Sequence, residues 1–292
     1  MKLKVPSSAD GLRLDKFLSS IITDVSRTAL GDALRAAKLK PSQKVAAGEV
    51  IKVPDIKPRA ARASQPEDIP LEILFEDDDV VVINKPAGLV VHPGAGRRGG
   101  TLVNALLFKS KLSRIGGTMG REGIVHRLDK DTSGIMIAAK SDFAHLKLSE
   151  MFAAHKVKRE YLALVSGIVS PSSGTIAKPL ARSRANREKM CVSASGKVAI
   201  THYSTEKVFT GGSKKPVSLL RLRLETGRTH QIRVHLADAG HPILGDKTYA
   251  SPSVAAMAPR QMLHSANLSF AHPRTGKVLK FAVPLSADFL VI

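Results

Sequence analysis

Apolar and polar positions along the chain sort it into two unequal parts. Near the N-terminus Leu14, Phe17, Leu18 and Ile21 recur at helical spacing. A second amphipathic stretch runs from Ser26 to Ala37, with Ser26 placed to cap it. From Pro54 to Pro70 the chain is rich in Pro, Ala and charge and has no apolar period, which predicts a linker. Beyond it the pattern changes to strands. Asp79-Val-Val-Val-Ile-Asn and Ser133-Gly-Ile-Met-Ile-Ala-Ala-Lys are continuous apolar runs of the kind that are buried on both faces. Further strands are predicted at Tyr161–Gly167, Lys197–Tyr203 and Leu219–Glu225. In the last, Leu220, Leu222 and Leu224 alternate strictly with Arg221 and Arg223. Ser269 to Pro284 reads as a hairpin turning at Arg274-Thr-Gly-Lys. Helical patterns are fewer; the clearest follows Ser141, with Ala144, Leu148, Met151 and Phe152 on one face.

Strands outnumber helices, and helices do not regularly separate them. The predicted class is therefore α+β with a mixed, mainly antiparallel central sheet, not a doubly wound fold. The predicted organisation is a small unit over residues 1–58, a linker over 59–69 and a large domain over 70–292. A unit of that size is marginal alone and leans on a neighbour or a ligand.

Charge changes the picture next. The formal net charge is +20, and it is concentrated late: residues 151–292 carry 21 Lys/Arg against 7 Asp/Glu. Such a surplus repels itself unless a polyanion uses it, which points to nucleic acid. With no Trp, three Tyr and nine Phe, a reader that stacks successive bases on aromatic platforms is excluded. A single cysteine, Cys191, excludes an internal disulfide and a multi-thiolate metal site. No run reaches the ~18 apolar residues of a membrane span, and the N-terminus lacks the apolar core of a signal peptide. The expectation is a soluble, cytoplasmic protein with no membrane partner and no obligate protein partner.

Three motifs mislead. Gly94-Ala-Gly-Arg-Arg-Gly matches a dinucleotide fingerprint, but Pro93 parts it from the preceding strand, two arginines sit within it, and no acidic residue follows at ribose distance. A flexible basic loop accounts for it better. His126-Arg-Leu-Asp has one residue too many for a kinase catalytic loop, and no Asp-Phe-Gly follows. His230, His235 and His241 are spaced five and six apart, which places no metal-binding pair on one helical face. No cofactor or metal is predicted.

Two segments concentrate polar residues within apolar surroundings. In Gly123-Ile-Val-His-Arg-Leu-Asp-Lys-Asp-Thr-Ser-Gly a strand is predicted to deliver Arg127 and Asp129 to one face before a turn. Glu225-Thr-Gly-Arg-Thr-His-Gln-Ile-Arg-Val-His-Leu passes from a strand end through a glycine turn into a helix. Strand ends and turns are where reactive side chains are displayed. Taken alone, Asp129 reads as a strand-end carboxylate in a structural ion pair, and Lys85 and Arg228 read equally as phosphate contacts or solvated charge.

Together these segments resemble the RluA-type family of RNA pseudouridine synthases. His126-Arg127-Leu128-Asp129 is similar to the family's catalytic motif, Asn84-Lys-Pro-Ala-Gly-Leu-Val-Val-His-Pro to its first block and Arg159-Glu-Tyr-Leu-Ala-Leu-Val to its tyrosine motif. Thr226–His235, Gly240-His-Pro-Ile-Leu-Gly-Asp-Lys-Thr-Tyr and Leu263-His-Ser resemble the remaining blocks, in order, over roughly residues 70–285. The resemblance implies a pseudouridine synthase fold and a cofactor-free isomerisation that detaches uracil from C1′ and rejoins it through C5. It implies Asp129 as nucleophile, Arg233 as its paired cation, and Tyr161 stacked on the target base. It also implies substrate contacts at Arg127, Leu263, His126 and Arg228. The partner expected is structured RNA. Large-subunit ribosomal RNA comes first, transfer RNA second, with a non-catalytic RNA-binding or ribosome-assembly factor as the rival class. The N-terminal unit resembles a shortened S4-type RNA-binding module, with Arg27, Arg35 and Lys38 as its contacts.

Overall fold

The structure, a computed structural model, describes residues 2–22, 27–53, 64–93, 99–114, 121–210 and 215–291. The strands of the first half are β1 (Lys2–Lys4), β2 (Val50–Lys52), β3 (Glu72–Glu76), β4 (Val80–Lys85), β5 (Ser133–Ala139) and β6 (Lys158–Ser166). Those of the second half are β7 (Ser173–Ala177), β8 (Leu180–Arg182), β9 (Met190–Val192), β10 (Ile200–Phe209), β11 (Val217–Leu224), β12 (Leu263–Ala271) and β13 (Val278–Ala282). The α-helices are α1 (Leu14–Ile21), α2 (Arg27–Ala36), α3 (Leu102–Lys109), α4 (Asp142–Ala153), α5 (Gln231–Asp238) and α6 (Pro252–Ala255). The predicted Ser26 cap, the side chain of Arg27 and the glycine–arginine run 94–98 lie outside the described residues.

Two compact units form: Met1–Ser64 with Arg114–Glu122, and Gln65–Ser113 with Gly123–Ile292. In the first, β1 pairs antiparallel with β2. Leu14, Phe17 and Leu18 of α1 share a core with Leu30 and Leu34 of α2 and with Val5, Val45, Ile51 and Val53. Ile21, predicted to join them, is 46% exposed, because this small core ends before the last turn of α1 does. The predicted linker over 59–69 is only partly described, and its last residues are pinned to the second unit. Asn104 donates its side-chain N–H to the Gln65 carbonyl at 2.7 Å, and the Glu67 N–H donates to the Asn104 carbonyl at 3.0 Å.

The second unit is built on one sheet of nine strands in the order β3-β4-β5-β12-β6-β11-β10-β7, with β13 on β12. Among the described residues its pairings are antiparallel except β5 with β12, so the fold is α+β with a mixed, mainly antiparallel sheet. Strands β4 and β5 are buried on both faces. Val81, Ile83, Met136 and Ala138 join the core that holds Ile232 and Leu236 of α5. Val80, Val82, Ile135, Ile137 and Ala139 join the core covered by Ala144 and Leu148 of α4. That explains their unbroken apolar runs. The Ser141 hydroxyl caps α4 by accepting the Ala144 N–H at 3.1 Å. In β11 only one face is covered: Leu220 and Leu222 are fully buried, while Arg221 crosses the other face to Glu206 and Glu160. The parallel step between β5 and β12 brings backbones so close that a Cβ on Gly134, at φ +108°, would run into the Ser265 carbonyl.

One element departs from expectation. Residues 125–132 form no strand; they are a loop, bent at 125–126 and turning at 130–131, that leads into β5. Leu128, 4% exposed, anchors it in the core, so its neighbours Arg127 and Asp129 face outward. The alternation is that of a strand, but among the described residues no backbone pairs with it.

Candidate active site

The loop is held from behind, through its carbonyls. The Lys85 ammonium, at the end of β4 and fully buried, donates to Pro86 O at 2.8 Å, Leu89 O at 2.9 Å and Lys130 O at 3.0 Å. Three acceptors match the three N–H bonds of an ammonium. Burial pushes Lys85 down to about 7, with the charges of Asp131 and Asp129 opposing. Lys85 is thus neither a phosphate contact nor a solvated charge. Arg260 donates to the Asp131 carbonyl at 2.9 Å while pairing with Asp288 at 2.6 Å. Gln261 donates its side-chain N–H to the Thr132 hydroxyl at 2.7 Å.

In front, the Asp129 carboxylate looks into a cleft of about 520 Å³ whose lining includes Arg127, Leu128, His230, Arg233, Lys247 and Thr248. Arg233, on the first turn of α5, donates Nη1–H to Asp129 Oδ2 at 2.9 Å. Its Nε and Nη2 donate to the two oxygens of Asp246 at 2.7 and 2.8 Å, a bidentate pair. Burial works against the guanidinium charge, but the hydrogen bonds to Asp246 and the charges of Asp129 and Asp246 outweigh it and hold Arg233 above its ordinary value. Asp246 is likewise opposed by burial and held low by Arg233. Side-chain exposure divides the trio: Asp246 is 1% exposed, Arg233 7% and Asp129 17%. Asp246 therefore serves the arginine, and the arginine serves the open carboxylate. Tyr249 lays its ring against the same guanidinium, 5.1 Å from Cζ to the centroid.

The remaining expected residues separate. Tyr161, on β6, is buried in the core, and its hydroxyl is pushed up by burial, with Arg159 opposing and Asp129 reinforcing. It lies within electrostatic reach of the carboxylate. Leu263 opens β12 and is 5% exposed. Arg127 is exposed at the rim of the cleft. His126 and Arg228 are engaged elsewhere. The His126 ring stacks on Phe152 at 4.7 Å and accepts the Ile137 N–H at Nε2. Burial of the ring, then the charge of Arg159, pushes it down to about 3, although the residue as a whole keeps partial exposure. Arg228 donates to the Val198 carbonyl at 3.0 Å. Of the three clustered histidines, His235 bonds Thr201 and the Lys178 carbonyl and His241 bonds the Ser166 carbonyl, whereas His230 reaches Asp129. Among the described residues no group of three or more His, Cys, Asp or Glu could hold a metal.

Asp246, Tyr249 and His230 stand around Asp129 and Arg233; sequence reasoning weighed His230 only as a metal ligand and did not single out the other two. Asp246 and Tyr249 both stand in the Gly240–Tyr249 block, whose polar residues follow an apolar Ile-Leu pair with no evident surface reason.

The fold and the cleft define a carboxylate-centred site, paired to one buried arginine, on a strongly basic chain. The model of the RNA pseudouridylate synthase family matches residues 79–238. The chain belongs to that family and is an enzyme that isomerises uridine in RNA. It is 44% identical to Ribosomal large subunit pseudouridine synthase D of Zymomonas mobilis, over 97% of this chain and 93% of that protein. It is 42% identical to the protein of the same name from Nitrosomonas europaea, over 100% of this chain and 86% of the other. An uncharacterized RNA pseudouridine synthase of Aquifex aeolicus is 41% identical over 93% of this chain and 89% of its own. Among solved structures, Human RNA Pseudouridylate Synthase Domain Containing 1 superposes with a TM-score of 0.61 at 27% identity, covering 75% of this chain and 84% of that one. Among the described residues no helix is long and apolar enough to cross a membrane.

Proposed function

We propose that this chain converts uridines of large-subunit ribosomal RNA to pseudouridine in the cytoplasm, with Asp129 as the nucleophile. The observation that carries the reading is the division of labour on the Asp129 carboxylate, which lines the cleft: Oδ2 is taken by Arg233, while Oδ1 has His230 Nε2 at 3.8 Å, beyond a hydrogen bond. A carboxylate that attacks a nucleoside within a water-poor site needs a cationic partner to offset its desolvation, and Arg233 stands in that place. The names of the relatives from Zymomonas mobilis and Nitrosomonas europaea support the substrate.

In this reading Asp129 bonds to the nucleoside, the N1–C1′ bond of the target uridine breaks, the uracil turns, C5 bonds to C1′ and Asp129 is released. The hydrogen on C5 leaves as a proton, and N1 takes a proton up. Tyr161 stacks on the base and Leu263 packs beside it. Arg127, exposed at the rim, occupies the gap left by the flipped nucleotide or holds the distorted strand. Flipping costs a few kcal/mol of stacking, and the net +14 of residues 151–292 offsets it through phosphate contacts. The unit over residues 1–58 acts as a shortened S4-like RNA-binding module. His126 and Arg228 have positioning roles: one bonds the backbone of β5, the other the chain ahead of β10.

Tritium release from large-subunit ribosomal RNA labelled at uridine C5 tests this. Wild type should release tritium, and Asp129→Asn should not, with RNA affinity unchanged. Release by neither protein on that RNA, with release by wild type on transfer RNA, would move the substrate. Binding without release on any RNA would replace the enzyme reading with that of a binding factor.

A further inference from the structure

His230 holds a left-handed backbone conformation, φ 55° and ψ 20°, directly before α5. A non-glycine residue in that region carries strain and recurs where side-chain placement matters. What the strain achieves is visible in the side chain. The Met190 N–H, in β9, donates to the Tyr249 hydroxyl oxygen at 2.9 Å. That hydroxyl lies 2.8 Å from His230 Nδ1. Its other partner among the described residues is a donor, so its own hydrogen goes to Nδ1. Nδ1 is then an acceptor, and in the neutral ring the proton must sit on Nε2. Nε2 faces Asp129 Oδ1 at 3.8 Å, the oxygen that Arg233 leaves open.

We propose that His230 is a positioning residue: Tyr249 fixes its tautomer, and its Nε2–H orients the open oxygen of Asp129 towards the substrate. This role rests on the reading of Asp129 as the nucleophile. The distance is just beyond a hydrogen bond, as is common before substrate closes a site. A neutral donor suits the task, because a second cation on the carboxylate would quench the nucleophile. Burial keeps the ring below its ordinary value, against the pull of Asp129 and with Arg233 and Arg127 reinforcing; Asp246 is the other charge facing it. A base role is closed to it: Nε2 carries hydrogen, and the lone pair of Nδ1 is occupied by Tyr249. The chain of bonds also ties the His230 ring to the β8–β9 hairpin, whose loop carries Arg184 and Arg187.

The test is single-turnover tritium release by the full chain from large-subunit ribosomal RNA labelled at uridine C5, with RNA affinity and thermal midpoint measured beside it. His230→Leu should slow release about 10- to 100-fold, the scale of a misplaced reacting group, at unchanged affinity. His230→Gln, whose amide N–H reaches the place of Nε2–H, should recover to within about fivefold of wild type, with the same pH profile. Tyr249→Phe keeps the ring on Arg233 but frees the tautomer, and should slow release several-fold. Equal defects in the Leu and Gln variants, or wild-type rates in His230→Leu, would overturn the proposal. If His230→Leu fails to fold, a wild-type rate in Tyr249→Phe would overturn it instead. Asp129→Asn is the separate control: turnover by that variant would sink the nucleophile reading, whatever the His230 variants do.

Discussion

The loop that carries Asp129 is gripped on two sides, and the two grips differ in kind. Behind it, the bonds that Lys85 and Arg260 make to the loop itself go to neutral carbonyls, of residues 130 and 131. The carboxylate that Arg260 also pairs with, Asp288, lies off the loop. In front, Arg233 meets two carboxylates, one fully buried and one open to the cleft. A carbonyl accepts without changing charge, so the rear contacts fix where the backbone lies and leave the chemistry alone. An arginine shared with a second acid is held in place by Asp246 and takes only one oxygen of Asp129, so the other stays free. The difference separates position from reactivity: the rear should govern stability, and the front turnover.

Arg233→Lys tests the front and should have the largest effect. A lysine offers one point charge and cannot serve Asp129 and both oxygens of Asp246 together. Tritium release should fall by about 100-fold or more, on the order of losing one preorganised donor in an active site. RNA affinity should hold. A fall in thermal stability alone, with turnover intact, would erase the distinction.

Lys85→Met tests the rear. It removes a buried donor from three carbonyls and should cost about 2–4 kcal/mol in chemical denaturation, with a smaller loss of turnover. A pH signature accompanies it. The folded value of about 7 lies below the ordinary value of roughly 10.4. Between the two the unfolded chain holds a proton that the folded chain has released. The Lys85 contribution to stability should therefore rise as pH climbs from about 7 towards 10, and Lys85→Met should flatten that rise.

The smallest effect is expected at His126, whose ring supports β5. His126→Phe keeps a ring against Phe152 but strands the Ile137 N–H, and should cost about 1–2 kcal/mol. The folded value of about 3 lies below the ordinary value of roughly 6.5, so wild-type stability should fall as pH drops from about 6.5 towards 3, and the variant should lose part of that slope. A large loss of turnover at unchanged stability would instead place His126 at the substrate.

Several elements were legible because their cause is local. The double-sided burial of β4 and β5 is written in unbroken Val and Ile runs, and the half-covered β11 in its Leu–Arg alternation. The Ser141 cap needs only a hydroxyl three residues from a free N–H. The loop at 126–132 misled for a local reason too: alternating exposure arises equally from strand pairing and from one leucine anchored in a core. Ile21 continued a helical period past the end of the core it was meant to cover.

From its sequence alone, this protein is an α+β chain with a large strand-rich domain, a strongly basic C-terminal half, and an aspartate and an arginine in blocks of one enzyme family. Periodicity, charge and motif order are properties of neighbouring residues, so they survive without a fold. Tertiary structure alone decided that Arg233 is shared with Asp246, 13 residues away, and that Lys85 is a buried clamp on a loop 45 residues further along. It alone placed Tyr249 to set the tautomer of a histidine beside Asp129. Each depends on where distant backbones cross, and burial and hydrogen-bond direction exist only once they have done so.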